Sequence, residues 1–271
     1  MQAPRTIAVA VNQTKPGARR CRTELLAWLR REGVRVVPTG RRADMIVALG
    51  GDGTILRVAR ELDGAPTPIL GVNLGGLGFL TSVRSDELLP VLKQVLAGDY
   101  VVATRHTLQA TVRRPGRRQP LYHALNDAVI ARGAFSRVVG LSLSVDGEWL
   151  TEYTCDGIIL ATATGSTAYS LSAGGPILLP TATAYVMTPI CPHALTNRSI
   201  IINAESVVRC QVTRGSGQLL LTVDGQVQER LRVGDAVEVR GGKRTVRMVT
   251  PTGHANFAVL RQKLKWSGSN V

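Results

Sequence analysis

Residues 45–54 read MIVALGGDGT, an apolar run that ends in three glycines around one carboxylate, Asp52. The run predicts a short buried strand, and Ile55 to Arg60 reads as the opening of a helix. Glycine lets a backbone approach a ligand closely, and the unpaired N–H groups of a helix N-terminus favour anions. The pattern therefore predicts a phosphate site. A carboxylate in such a site binds a metal or takes a proton from an attacking hydroxyl, which indicates phosphoryl transfer.

The alternative is a purely structural turn, in which Asp52 caps the N-terminus of the helix. Three glycines around a single acid favour the functional interpretation over this one.

The first hundred residues alternate between strands and helices, which is typical of an α/β domain with a parallel sheet. A helix is expected where Cys21, Leu25, Trp28 and Leu29 share one face, and Gly33 ends it. The other predicted elements are the strands Thr6–Val11, Val34–Val37, Met45–Leu49 and Pro68–Asn73, and a helix from Asp86 to about Ala97.

A second glycine-rich turn, Asn73–Leu80, follows the last of these strands. Ligands of open α/β sheets bind beyond the carboxyl ends of the strands, so both turns can face one crevice. Phe79 would then form a wall of an adenine-sized pocket. In the alternative interpretation the glycines only let a helix pack closely on the sheet, and Phe79 belongs to the core.

After Gly98-Asp99 the pattern changes to short strands separated by turns such as Asp146-Gly147 and Asp224-Gly225, which predicts a β-rich second domain. We expect an α/β domain over residues 1–98 and a β-rich domain over residues 99–252. The segment Asn256–Trp266 can form a helix that packs back on the first domain, so that residues 253–271 would join it.

The strand Asp156–Ala161 leads into residues 162–176, TATGSTAYSLSAGGP. Many hydroxyls with little bulk suit ribose and phosphate oxygens, and Tyr169 could stack on a planar base. A plain turn rich in serine and threonine is the alternative. Asn126-Asp127 could hold a ribose or a base edge through an amide beside a carboxylate, or could form an Asx turn.

The composition describes an ordinary globular protein, with 44% hydrophobic and 19% charged residues and a net charge of +14. Only five of the 33 basic residues are lysine. The basic pairs are dispersed and lack interleaved aromatic residues, which favours solvated surface charge over a nucleic-acid or membrane surface. The four cysteines have neither disulfide-framework nor zinc spacing. Without a signal-like or membrane-length apolar stretch, a cytoplasmic protein is expected.

Taken together and in this order, the segments closely resemble the NAD kinase family. The segments that carry the resemblance are Gly50–Thr54, Asn73–Leu80, Asn126-Asp127, Asp156–Pro176, Pro192–Leu195 and Asp224–Gln226. The resemblance implies an N-terminal α/β domain and a C-terminal β-sandwich, assembled as a homodimer or homotetramer. It implies phosphorylation of the adenosine ribose 2′-hydroxyl of NAD, with ATP or polyphosphate as donor and a divalent metal, Mg²⁺, as cofactor.

By the same resemblance, Asp52 is the general base and Gly53 lies against the NAD. Asn126 and Asp127 hold a ribose, Asp156 contacts the nicotinamide end, and Tyr169 stacks on a base. The resemblance implies further substrate contacts at Arg137, Thr167, Ala168, Ser170, Ser172 and Gln226. Two more are expected from position alone, Phe79 in the second turn and Arg57 one helical turn past Thr54.

Two residues depart from the family pattern: Asp127 stands where glutamate is common, and Ala163 where proline is usual. Neither departure removes a reacting group. Lipid and sugar kinases carry similar Gly-Gly-Asp-Gly turns, but residues 162–176 and 73–80 resemble NAD kinases instead. A non-catalytic NADP sensor is a further alternative, against which the intact Asp52 argues.

Overall fold

A computed structural model describes residues 2–76, 78–81, 83–114, 116, 119–133, 138–194, 196–252 and 256–266. The chain divides into two compact units, Met1–Thr104 with Val246–Val271 and Arg105–Thr245. None of the helices in the described ranges is long and apolar enough to cross a membrane.

In chain order the elements are β1 (Thr6–Val11), α1 (Ala18–Arg31), β2 (Arg35–Val37), β3 (Met45–Gly50), α2 (Asp52–Leu62), β4 (Ile69–Asn73), β5 (Val83–Arg84), α3 (Leu88–Leu96), β6 (Tyr100–Arg113), β7 (Leu121–Ala124), β8 (Asp127–Arg132), β9 (Val139–Val145), β10 (Glu148–Cys155), β11 (Gly157–Thr162), a 3₁₀ turn (Gly165–Thr167), α4 (Tyr169–Ser172), β12 (Ala184–Ile190), β13 (Ile200–Asn203), β14 (Val208–Arg214), β15 (Leu219–Val223), β16 (Val227–Leu231), β17 (Ala236–Pro251) and α5 (Asn256–Leu264).

The first unit contains a parallel sheet in the order β2-β1-β3-β4-β5, and the end of β17 pairs with β4 at Met248. Strand β3 lies between β1 and β4 and is buried along its whole length, as its apolar run predicts. Helix α1 buries Leu25, Trp28 and Leu29 against the sheet, which confirms the face predicted for it. The α/β class expected for this part of the chain is therefore confirmed.

Helix α2 begins earlier than predicted, at Asp52 rather than at Ile55. Gly51 is extended (φ −128°, ψ −169°) and serves as the N-cap, and the Thr54 N–H donates to the Gly51 carbonyl at 2.9 Å. The last part of the glycine-rich turn is thus the first turn of the helix. The sequence did not reveal this because glycine is a poor helix former.

The register of β3 and β4 places the two glycine-rich turns together. Gly50 pairs with Asn73 at the carboxyl ends of these neighbouring parallel strands. Both turns therefore leave the same edge of the sheet, as expected from the sequence.

The second unit is a β-sandwich. A six-stranded antiparallel sheet has the order β13-β12-β11-β8-β15-β16, and a second sheet includes β10, β9, β14, β17, β6 and β7. One apolar core lies between them, with Ile130 and Leu160 from the first sheet and Leu141 and Cys210 from the second. The predicted β-sandwich is confirmed, and its two sheets are held by alternate residues of each strand.

The outer face of the six-stranded sheet carries the hydroxyl-rich segment. Residues that alternate with the core positions, Val129 and Ile159 among them, point to this face. They pack against Ala163 and Leu178, which come from the segment that follows β11. A second small apolar cluster therefore fixes that segment on the sheet.

Candidate active site

The carboxylate of Asp52 is held by the second glycine-rich turn. The Phe79 N–H donates to Asp52 Oδ2 at 2.9 Å, and the Leu80 N–H donates to Oδ1 at 3.1 Å. A Cβ atom at Gly78 would lie 2.0 Å from Oδ1, so the carboxylate occupies the space that a side chain would need. Helix α2 has Gly51 as its N-cap and no side-chain capping bond, so Asp52 does not act as the helix cap of the alternative interpretation.

Asn73 and Thr81 support this arrangement, and the sequence did not identify either as a site residue. The Asn73 Nδ2 donates to the Gly76 carbonyl at 2.6 Å and to Thr81 Oγ1 at 2.9 Å. Thr81 Oγ1 lies 3.5 Å from Asp52 Oδ1 and accepts the Gly78 N–H at 3.1 Å. Both side chains are almost fully buried. The position of Asn73 at the end of β4 was the available signal, whereas nothing in the sequence marks Thr81.

The first turn is packed as closely as glycine allows. A Cβ atom at Gly50 would lie 2.0 Å from Thr54 Oγ1 and 2.8 Å from Thr54 Cβ. Thr54 is buried, and its hydroxyl has no hydrogen-bond partner among the described residues. Gly50 is therefore required by close approach and not by backbone angle.

Arg57 and Phe79 both lie in the first unit. Arg57 forms an ion pair with Glu61 at 2.8 Å, one helical turn further on, and its Nη2 lies 3.4 Å from the carbonyl of Val11. The ring of Phe79 is partly exposed, and Lys263 Nζ of α5 lies 5.8 Å from its centroid, within cation–π distance. Phe79 thus presents a ring face beside the bonds that hold Asp52.

Asp127 is a largely buried carboxylate in the second unit. The residue is 6% exposed, and its backbone N–H donates to the Asp224 carboxylate at 3.1 Å. Burial, and then the nearby Asp224 carboxylate, raise its pKa to about 7.

The side chains of the segment after β11 divide into two groups. Those of the first group are buried and bonded inside the protein: Ser166 Oγ accepts the Leu178 N–H at 2.9 Å, and Ser170 Oγ lies 2.9 Å from Thr188 Oγ1. Ser170, predicted as a substrate contact, is fully buried and holds the segment from within. Those of the second group are more accessible: Ala168 and Thr167, whose hydroxyl donates to the Thr164 carbonyl at 3.2 Å, are half-buried, and Tyr169 and Ser172 are exposed. The buried Thr164 hydroxyl, not identified from the sequence, has no partner among the described residues.

This segment meets the Asn126-Asp127 pair. The Thr162 N–H donates to the Asn126 carbonyl at 2.8 Å, and a Cβ atom at Gly165 would lie 2.1 Å from the same oxygen. The structure therefore brings together two of the motifs that the sequence analysis selected separately.

Asp156 lies elsewhere in the unit. It precedes β11, whereas Asp127 pairs with Ala161 near the other end of that strand. At a rise of about 3.3 Å per residue, roughly 17 Å separates the two positions. Asp156 forms a bidentate pair with Arg132, at 2.6 and 3.1 Å, and this pair lowers its pKa. Gln226 is exposed in the turn after β15, and Arg137 lies outside the described residues.

Comparisons with known proteins agree with the motifs. Residues 39–100 match the model of the ATP-NAD kinase N-terminal domain, and residues 125–251 match that of the ATP-NAD kinase C-terminal domain. The NAD kinase of Geobacter metallireducens is 44% identical, over 96% of this chain and 98% of that protein. The NAD kinase of Geobacter sulfurreducens is 42% identical over the same shares.

Solved structures show the same fold. Yeast NADH kinase complexed with NADH superposes with a TM-score of 0.90 at 29% identity, covering 100% of this chain and 90% of that one. An NAD kinase from Archaeoglobus fulgidus in complex with ATP gives 0.76 at 24% identity, covering 99% and 100%. The second likeness shows the fold alone.

The buried carboxyl of Asp127 predicts a pH-dependent stability. Its pKa is raised by folding, so its contribution to stability is complete below the usual value of 3.8 and is lost as the pH rises through about 7. Asp127→Asn, which does not titrate, should therefore gain stability relative to the wild type between pH 5 and pH 8. Urea unfolding of both proteins at the two pH values measures this. An equal free-energy difference at both would contradict it.

Proposed function

Because the chain belongs to the NAD kinase family and phosphorylates NAD to NADP, we propose that Asp52 is the general base of this transfer. The observation that carries the proposal is the pair of N–H bonds from Phe79 and Leu80 to its carboxylate. These bonds fix the orientation of the carboxylate. A general base requires a fixed orientation because it must lie within hydrogen-bond distance of one particular hydroxyl. In this role Asp52 takes the proton from the adenosine ribose 2′-hydroxyl as the oxygen bonds to the terminal phosphorus of the donor, whose bond to the bridging oxygen breaks and releases the shortened phosphate, ADP in the case of ATP.

The phosphoryl donor is ATP or another polyphosphate, held at the first turn. The turn contains no P-loop lysine motif, so backbone N–H groups at the start of α2 would provide most of the contacts to phosphate. Arg57, one helical turn further on, would add a positive charge. The matches to the two ATP-NAD kinase domain models support ATP as donor.

NAD would be held by residues of the second unit, and the contact of Gly53 with NAD stays a prediction. Asp127 and Asn126 would bind a ribose, because Asp127 is a largely buried carboxylate and the pair lies against the hydroxyl-rich segment. Tyr169, 48% exposed, would stack on a base, and Thr167, Ala168 and Ser172 would line the site. The NADH complex of the yeast enzyme supports a dinucleotide site.

A divalent metal, Mg²⁺, would accompany the donor. Within the described ranges no group of three or more His, Cys, Asp or Glu side chains could hold a metal ion. This fits Mg²⁺, which is commonly bound by substrate phosphates and water with one or two carboxylates. The metal would neutralise charge on the transferring phosphoryl group.

A homodimer or homotetramer is proposed as the assembly. The proposal rests on the resemblance to the family. The predicted cytoplasmic location stays a prediction.

Asp52→Asn should bind NAD but lose about 10²- to 10⁴-fold in kcat, the usual worth of a general base. The amide cannot take the proton, and its own N–H must face the backbone N–H of Phe79 or Leu80, so the loss of orientation adds to the loss of the base. NADP formation followed with a coupled dehydrogenase gives the rate, and calorimetry gives NAD binding. The exposed Asp86→Asn is the control. Near-normal turnover of Asp52→Asn would overturn the assigned role.

Removal of divalent metal should abolish NADP formation. The purified protein is incubated with NAD and either ATP or polyphosphate, first with EDTA and then with excess Mg²⁺. The expected result is no product with EDTA and recovery with Mg²⁺, because the phosphate charge is then compensated. Undiminished NADP formation in EDTA would contradict the proposed cofactor.

A further inference from the structure

Asp224 lies in a tight hairpin turn whose geometry its sequence already explains. Asp224 (φ 51°) and Gly225 (φ 63°) are both left-handed, and the Gln226 N–H closes the turn on the Val223 carbonyl at 3.0 Å. An Asp-Gly pair is strongly favoured at such two-residue turns between strands. The turn therefore does not require the bonds that the Asp224 carboxylate makes elsewhere.

The carboxylate of Asp224 binds three consecutive backbone N–H groups. Its Oδ2 accepts the N–H of Leu125 at 2.9 Å, and its Oδ1 accepts those of Asn126 at 2.7 Å and Asp127 at 3.1 Å. The Asp224 N–H returns a bond to the Asp127 carbonyl at 2.9 Å. Four hydrogen bonds thus fix the backbone from which the Asn126 and Asp127 side chains project.

This arrangement has an electrostatic cost. The Asp224 carboxylate faces Asp127, which is buried, and in the described part of the chain it is the charged group that acts on that carboxyl. Its negative charge helps to raise the pKa of Asp127 to about 7. Fixing the backbone therefore places two acids side by side, which favours a role at the ligand site over one in stability alone.

We propose that Asp224 is a positioning residue for the phosphorylation of NAD: it holds residues 125–127 so that Asn126 and Asp127 meet the ribose. The proposal rests on the ribose-binding role proposed above for those two residues. Asp224 acts through the backbone of its neighbours, and Gln226, at the end of the same turn, remains the predicted substrate contact.

The chain contains a matched control at Asp146-Gly147. This pair forms the hairpin turn between β9 and β10, with φ values of 51° and 88°. Asp146 Oδ1 also accepts a backbone N–H from outside the turn, that of Val207 at 2.8 Å. No predicted site residue is adjacent to Val207, so Asp146→Asn changes a similar turn aspartate away from the proposed site.

The test compares Asp224→Asn with Asp146→Asn in the full-length enzyme. In Asp224→Asn the amide turns an N–H toward at least one backbone N–H, so NAD binding should weaken. We expect its KM for NAD to rise roughly 10- to 100-fold, the worth of a hydrogen bond to a charged group. The KM for ATP should stay within about twofold, and so should both constants in Asp146→Asn. An unchanged KM for NAD in Asp224→Asn, or equal rises for NAD and ATP, would overturn the proposal.

A pH profile separates positioning from a general loss of stability. In the wild type, kcat/KM for NAD should fall as the pH is lowered through about 7, because protonated Asp127 loses acceptor capacity. Asp224→Asn removes a negative charge beside Asp127, so the fall in kcat/KM for NAD should move to lower pH. Asp127→Asn should abolish this fall. If Asp224→Asn lowers the unfolding temperature but leaves the pH of this fall unchanged, Asp224 has a structural role only.

The two proposals can fail separately. If Asp127→Asn raises the KM for NAD and Asp224→Asn does not, the positioning role is wrong and ribose binding stands. If Asp127→Asn also leaves the KM unchanged, the ribose-binding role on which the inference rests is wrong.

Discussion

The arrangement of the two glycine-rich turns in the first unit depends on two backbone N–H groups that donate hydrogen bonds to one carboxylate. Asp52 belongs to the turn after β3, and Phe79 and Leu80 belong to the turn after β4. The two can meet because β3 and β4 are parallel neighbours in register and because Gly78 has no side chain. The buried strand, both glycine-rich turns and the start of α2 thus cooperate to hold one acid in place, as efficient proton transfer requires.

In the second unit, one short segment provides both the side chains that attach it to the sheet and the side chains that stay accessible to a ligand. Its hydroxyl-rich segment uses Ser166 and Ser170 to fasten itself to the sheet and leaves Tyr169 and Ser172 accessible. Close approach of Gly165 to Asn126 brings this segment beside the Asn126-Asp127 pair. The unit therefore presents neutral donors, an aromatic ring and one buried acid, a set that suits a dinucleotide.

Much of the fold could be predicted from the sequence, because the spacing of apolar residues and the glycines that end strands and helices are local signals. Strand β1 has the predicted bounds, and β3 and β4 differ by a residue at one end. The predicted start of α2 was wrong. The low helix propensity of glycine favoured a later start, whereas the extended Gly51 caps the helix and lets it begin at Asp52. The two-residue strand β5 was missed because so short a strand has no periodicity of its own.

The candidate site was less predictable, since its details depend on contacts between distant residues. The motif at residues 50–54 indicated Asp52, but its partners lie 27 and 28 positions further along the chain. Thr81 has no sequence signal, and the burial of Ser170 follows from the position of Thr188 on β12. The separation of Asp156 from Asp127 needed the register of β11 and β8.

The central claim, that the two turns orient Asp52 for proton transfer, is tested most directly by kcat of Gly78→Ala against Gly76→Ala. A Cβ atom at Gly78 would lie 2.0 Å from Asp52 Oδ1, whereas one at Gly76 meets nothing within 4 Å. The Gly78 Cβ atom would also lie 2.6 Å from Thr81 Oγ1, so the substitution displaces the carboxylate together with the hydroxyl that supports it. The account predicts that kcat falls at least about 100-fold in Gly78→Ala, with NAD still bound, and is unchanged in Gly76→Ala. A folded Gly78→Ala enzyme with near-normal kcat would contradict it.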